Sequence, residues 1–135
     1  MAKHKLVQHD TRPQIEYSLT DEVTNTPIDL SDPATVVRCY LKAASATVLK
    51  ETLILAKLTG RVTAIDPATG AQRISYAAPY DVPGKGGRCA LQWSNTSLDT
   101  TGDFTGEIEV TFADGGRQTV LQREQFNVRA DDNGA

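Results

Sequence analysis

The residues of this 135-residue chain whose types can do chemistry are His4 and His9, Cys39 and Cys89, and a few spaced carboxylates. Both histidines lie in the first twelve residues, among Lys3, Lys5 and Arg12. A zinc site needs three or four converging ligands, and no cysteine or carboxylate cluster stands beside them. Ser–His catalysis needs an imidazole fixed by a third group, which a polar terminus does not offer. Glu107 and Glu109 are two residues apart, on one side of an extended strand, and read as a solvated face. Asp99 and Asp103 do not supply the six or more oxygens that calcium takes. Pro83-Gly84-Lys85-Gly86-Gly87 lacks the spacing of a phosphate loop and no helix pattern follows it. It reads as a flexible loop, with a partner contact as the sharper reading. The expectation is no enzyme, no metal and no cofactor, because base, nucleophile and orienting group do not occur together.

The elements that position these residues are strands. Asp99 to Phe112 opens with a polar Asp-x-x-Gly turn and then alternates. Phe104, Ile108, Val110 and Phe112 face one way, and Thr105, Glu107, Glu109 and Thr111 the other. Asp114-Gly115-Gly116 follows as a turn, and Arg117 to Val128 returns, so the pair predicts a hairpin. Alternation is lost at Gln122 to Gln125, which predicts a bulge or bend. Pro13 opens an earlier strand with Ile15, Tyr17 and Leu19 inward. Val37, Cys39 and Leu41 face inward in Thr35 to Lys42, leaving Arg38, Tyr40 and Lys42 outside. Leu49 to Leu58 is ambiguous: Leu49, Leu53 and Leu58 fit a helix loosely, Thr52 to Leu55 fits a strand, and the β-rich context favours the strand. Residues 61–65 and 71–76 predict a hairpin around Asp66 to Gly70, and Ala77 to Gly87, rich in Pro and Gly, predicts a long exposed loop. Arg88 to Trp93 re-enters the core. An immunoglobulin-type bridge would use a cysteine two residues past Phe104, where Gly106 stands, so Cys39 and Cys89 are expected as free buried thiols.

The resulting expectation is an all-β, immunoglobulin-like antiparallel β-sandwich in a single domain with flexible terminal arms. The divisions are residues 1–12, a polar N-terminal arm, 13–129, the sandwich, and 130–135, an acidic C-terminal tail. A hydrophobic fraction of 39% and a charged fraction of 23% suit a folded soluble domain. The net charge of −3 gives no reason to expect nucleic acid, and no run reaches membrane-spanning length, so no membrane association is expected.

Pro13-x-Ile15-x-Tyr17-x-Leu19-Thr20-Asp21, Pro27-Ile28-Asp29-Leu30-Ser31 and Val36-Val37-Arg38 resemble the opening of the phage baseplate upper protein N-terminal domain. Leu91-Gln92-Trp93, Asp99-Thr100, Gly102-Asp103-Phe104 and Asp114-Gly115-Gly116 resemble its second half. Phe104 departs from the tyrosine more usual at that corner. The resemblance implies an immunoglobulin-like sandwich of tailed-phage virions that anchors fibres or baseplate parts and has no catalytic role. The expectation is a short neck, tail or baseplate adaptor or decoration subunit, assembled in the host cytoplasm into the virion. Its partners would be other virion structural proteins and copies of itself in a symmetric ring. The residues expected to grip partners are Lys3, Lys5 and Arg12, Tyr80 and Lys85 in the loop, and Asp131 and Asp132. A carbohydrate- or receptor-binding module on the same fold is the alternative, with Tyr76 and Tyr80 as its aromatic candidates.

Overall fold

In the computed structural model, residues 3–130 are described apart from 13, 22, 61, 66 and 76, with side chains 3, 62–65, 72–75 and 121–123 also left out. Every regular element among them is a strand: β1 (Lys3–Val7), β2 (Ile15–Ser18), β3 (Val36–Ala43), β4 (Glu51–Ile54), β5 (Ala56–Lys57), β6 (Val62–Ile65), β7 (Gln72–Ser75), β8 (Arg88–Leu91), β9 (Gly102–Thr111) and β10 (Arg117–Arg129). A five-stranded sheet runs in the order β1-β10-β9-β3-β4, and a three-stranded sheet in the order β2-β8-β5. Strands β6 and β7 form the expected separate hairpin. All pairings are antiparallel except that of β1 with β10.

The alternation read in the sequence fixes the inner faces. Val37, Cys39 and Leu41 of β3 and Phe104, Ile108 and Val110 of β9 are buried. They join Cys89, Leu91 and Trp93 of the second sheet in one core, where the Trp93 and Phe126 rings meet edge to face at 5.2 Å. The two layers form the expected sandwich, and Cys39 and Cys89 are buried, free thiols. Gly106 sits where these layers leave no room. A Cβ there would lie 2.8 Å from Phe126 Cε2 and 2.9 Å from Cys39 Sγ. Gly106→Ala is expected to lower stability by about 1–3 kcal/mol through overpacking, measured as a shift of the urea midpoint at constant slope.

Between β4 and β5 the chain passes from one sheet to the other. Leu55 makes the crossing, buried, with its N–H donating to Val37 O at 2.9 Å. The strand read across Leu49 to Leu58 is therefore two short strands in different layers.

Two expectations are corrected. Residues 3–7 are not a loose arm; they form β1, because Leu6 enters the core and the His4 ring stacks on Phe126 at 5.4 Å. The run from Ala77 to Gly87 is exposed only in its first part. Gly84, Gly86 and Gly87 are buried, and their segment is stitched to the body by Leu30 N–H to Gly84 O and Leu19 N–H to Gly87 O, both 2.8 Å. Glycine permits this close backbone approach, and Gly87 adopts a φ of 80° to make it. Finally, Pro13, Asp66, Tyr76, Asp131 and Asp132 lie outside the described residues.

The disturbance expected near Gln122 is present. The β9–β10 register shifts between Thr119 and Leu121 and again between Leu121 and Glu124. Two such shifts set Glu124 opposite Gly106, on the same inward parity as Phe126 and Val128, and it is buried there.

Candidate docking surface

The outer face of the five-stranded sheet is built by the outward positions of β3, β4 and β9. Register sets Arg38 between Ile54 and Glu109, Tyr40 between Thr52 and Glu107, and Lys42 beside Thr105. The Tyr40 hydroxyl donates to Glu109 Oε1 at 3.0 Å, and Arg38 Nη1 donates to Thr111 Oγ1 at 3.1 Å. Partial desolvation and then the Glu109 carboxylate push the Tyr40 phenol above its ordinary value. A shallow depression on this face is lined by Tyr40, Lys42, Leu49, Thr105, Glu107 and Arg117. Charges of both signs alternate across it, a pattern that orients a partner more than it binds one. Glu107 and Glu109 lie on this solvated face, as the spacing implied.

Strand β4 is the last strand on that side of the sheet. Its inner end is held firmly. Glu51 accepts hydrogen bonds from Ser94 Oγ at 2.6 Å and from Ser97 Oγ, while Lys50 Nζ donates to Asp99 Oδ1 at 2.5 Å. Of its two outward residues, Thr52 and Ile54, Ile54 is apolar and 67% exposed, and in the segment just before the strand Val48 is 76% and Leu49 47% exposed. Three other described edges are blunted by familiar devices, while β2 is an edge strand of the second sheet with no such break in its four residues. Strand β1 carries Lys3 and Lys5, β5 is two residues long, and β10 shifts register twice in the half that β1 leaves uncovered. Strand β4 carries no proline, glycine or register shift.

Among the described residues, those expected to grip partners do not converge. Lys5 is exposed on β1. Arg12 lines a separate depression with Thr11, Gln14, Gln92 and Trp93. Tyr80 is half-buried, its carbonyl accepting from Gly60 N–H at 2.6 Å, and Lys85 Nζ is paired with Asp29 Oδ2 at 3.0 Å. The backbone of Lys3 belongs to β1, its side chain lying outside the description, as Asp131 and Asp132 do entirely. Val48, Leu49 and Ile54 were not singled out in the sequence. Strand parity carries part of the signal, because Leu53 inward forces Ile54 outward.

Among the described residues, no group of three or more His, Cys, Asp or Glu is placed to hold a metal ion. No helix there is long and apolar enough to cross a membrane. Comparison with protein-family models, with curated proteins and with solved structures finds no match for this chain.

Proposed function

We propose that this chain is a structural subunit of a tailed-phage virion, a neck, tail or baseplate adaptor or decoration protein that acts by docking. The observation that carries the docking role is the β4 edge, free of proline, glycine and register shift and accompanied by exposed Val48, Leu49 and Ile54. The virion assignment rests on the motif resemblance from Pro13 to Val128. A neighbouring extended segment adds to β4 through main-chain hydrogen bonds, and the three apolar side chains supply contact area. The mixed charges around Tyr40 set its orientation. Neighbours of this kind are other virion structural proteins, including copies of the chain in a ring, met after assembly in the host cytoplasm. The carbohydrate-binding reading is weaker, because its described aromatic candidate, Tyr80, is half-buried.

The test is incorporation into particles. Ile54→Lys combined with Leu49→Lys alters only exposed side chains, so the unfolding free energy from urea titration is expected to stay within about 0.5 kcal/mol of the parent. Purified virions are expected to contain the parent chain at fixed stoichiometry and to lose the variant. A parent chain absent from purified particles overturns the virion assignment. A variant retained at parental stoichiometry overturns the role of the β4 edge.

A further inference from the structure

Strand β1 is seated by contacts that its own sequence specifies. It is five residues long and, among the described strands, pairs with β10 alone, in parallel. Leu6 enters the core, the His4 ring stacks on Phe126 at 5.4 Å, and His4 Nε2 lies 3.1 Å from Glu124 Oε1. Just past the strand, Gln8 N–H donates to Arg129 O and His9 N–H to Leu98 O, both at 2.8 Å. Gln8 Nε2 donates to Asp99 O at 2.9 Å. A segment taking this place must present a hydrogen-bonding ring and, two residues later, an apolar side chain. Residues 3–9 of this chain do so, and the same residues of a second copy do so equally well.

The connection from β1 to the rest of the fold is of a different kind. The chain reverses between Val7 and Asp10 and is exposed from His9 to Arg12. The bond across this turn, Asp10 N–H to Val7 O, is 3.2 Å long. His9 holds a φ of 71° there, a left-handed conformation in which Cβ crowds the following carbonyl. Residues 8–14 join β1 to β2, and seven residues drawn out straight span about 24 Å. Among the described contacts, opening the turn gives up the Asp10 bond and relaxes His9. The contacts of residues 3–9 with β10, Leu98 and Asp99 are all available again on a neighbouring copy.

We propose that β1 is exchanged between copies of this chain. Two copies related by a two-fold axis each lay residues 3–9 against β10 of the other, with Leu6 in the other's core and His4 against the other's Glu124 and Phe126. Closed and exchanged forms then contain the same strand contacts and differ at the turn, which is strained when closed; short hinges under strain invite exchange of this kind. The occupant is a second copy because the place beside β10 is shaped to the side chains of β1. The β4 edge lies at the opposite side of the sheet and stays open in the exchanged pair. The exchange is independent of the virion assignment, and its failure leaves that assignment standing.

Light scattering and an engineered disulfide on the purified full chain decide it. The parent is expected to form a dimer whose fraction rises with protein concentration; a chain that is monomeric at every concentration overturns the exchange. Positions 5 and 127 are paired across β1 and β10, so Lys5→Cys with Asn127→Cys sets two thiols side by side. Oxidation of the concentrated variant is expected to give a two-chain species in which residue 5 of one copy is joined to residue 127 of the other. Closure within single chains alone overturns the exchange. His9→Gly removes the strain of the closed turn and is expected to raise the dimer dissociation constant about tenfold or more. Ile54→Lys with Leu49→Lys is expected to leave that constant unchanged. A dimer that is lost on changing Ile54 and Leu49 but is indifferent to His9→Gly is a β4 contact and overturns the exchange. Should the disulfide fail to form, the response to His9→Gly decides alone.

Discussion

Raising the pH from 9 towards 12 is expected to unfold this protein steeply, with the urea midpoint already well down by pH 10.5. The cause is two thiols and a phenol in the core. Burial, and for Cys39 also the Glu124 charge, pushes Cys39 up to about 12 from an ordinary value of 9.0. Burial alone pushes Cys89 up to about 12 from the same value. The folded chain therefore keeps both protons over a range in which the unfolded chain has lost them. Stability is fully present below pH 9 and is lost as pH rises from 9 towards 12, by about 1.4 kcal/mol per pH unit for each thiol. Two thiols over two units amount to about 5 kcal/mol, comparable to the whole stability of a marginal domain. Tyr17, raised by burial and then by Glu124, adds in the same direction above its ordinary value of 10.0. Urea titrations at pH 8, 9, 10 and 10.5 check this, alongside a Cys39→Ala, Cys89→Ala variant. That variant starts from lower stability but is expected to lose the slope between pH 9 and 10. An equal midpoint at pH 8 and pH 10.5 in the parent would refute the argument.

Gly87→Ala is expected to cost about 3 kcal/mol or more, lowering the thermal midpoint by about 10 °C, while Gly70→Ala costs about 1 kcal/mol. Both glycines have positive φ, 80° and 74°, so both substitutions meet the same backbone strain. They differ in surroundings. A Cβ at Gly70 meets nothing within 4 Å, whereas one at Gly87 would stand 2.5 Å from Leu19 O and 3.1 Å from Ile28 O. Those atoms are backbone and cannot swing aside. The segment must lift, breaking the Leu19 N–H to Gly87 O bond and loosening Leu19, Ile28 and Leu30 in the core. Paired thermal scans of the two variants isolate the clash from the strain. Equal losses would mean that the loop gives way more easily than its bonding implies.

The same loop shows where local reading stops. Glycine and proline in residues 77–87 signal an exposed turn equally well whether the chain lies in water or against another strand. Only the arrival of Leu19 and Leu30, far upstream in the sequence, makes glycine a contact residue there. Strand β1 was missed for a related reason. Its inward positions are His4 and Leu6, so no apolar alternation marks it, and parallel pairing with a strand at the other end of the chain leaves no local signature. The docking edge was barely legible: strand parity relates Ile54 to Leu53 without saying which faces out, and only the sheet order shows that no strand among the described residues pairs with the far side of β4.

What the sequence determined by itself was the β class, the inner faces of β3 and β9, the β9–β10 and β6–β7 hairpins and the disturbance near Gln122. These rest on period-two alternation and turn chemistry, which are local and survive without partners. Tertiary structure alone decided the seating of the terminal strand, the inward turn of Glu124, the burial of Gly84 and Gly87 and the open edge at β4. Each of these is a relation between distant segments, fixed by register and packing that no short stretch of sequence encodes.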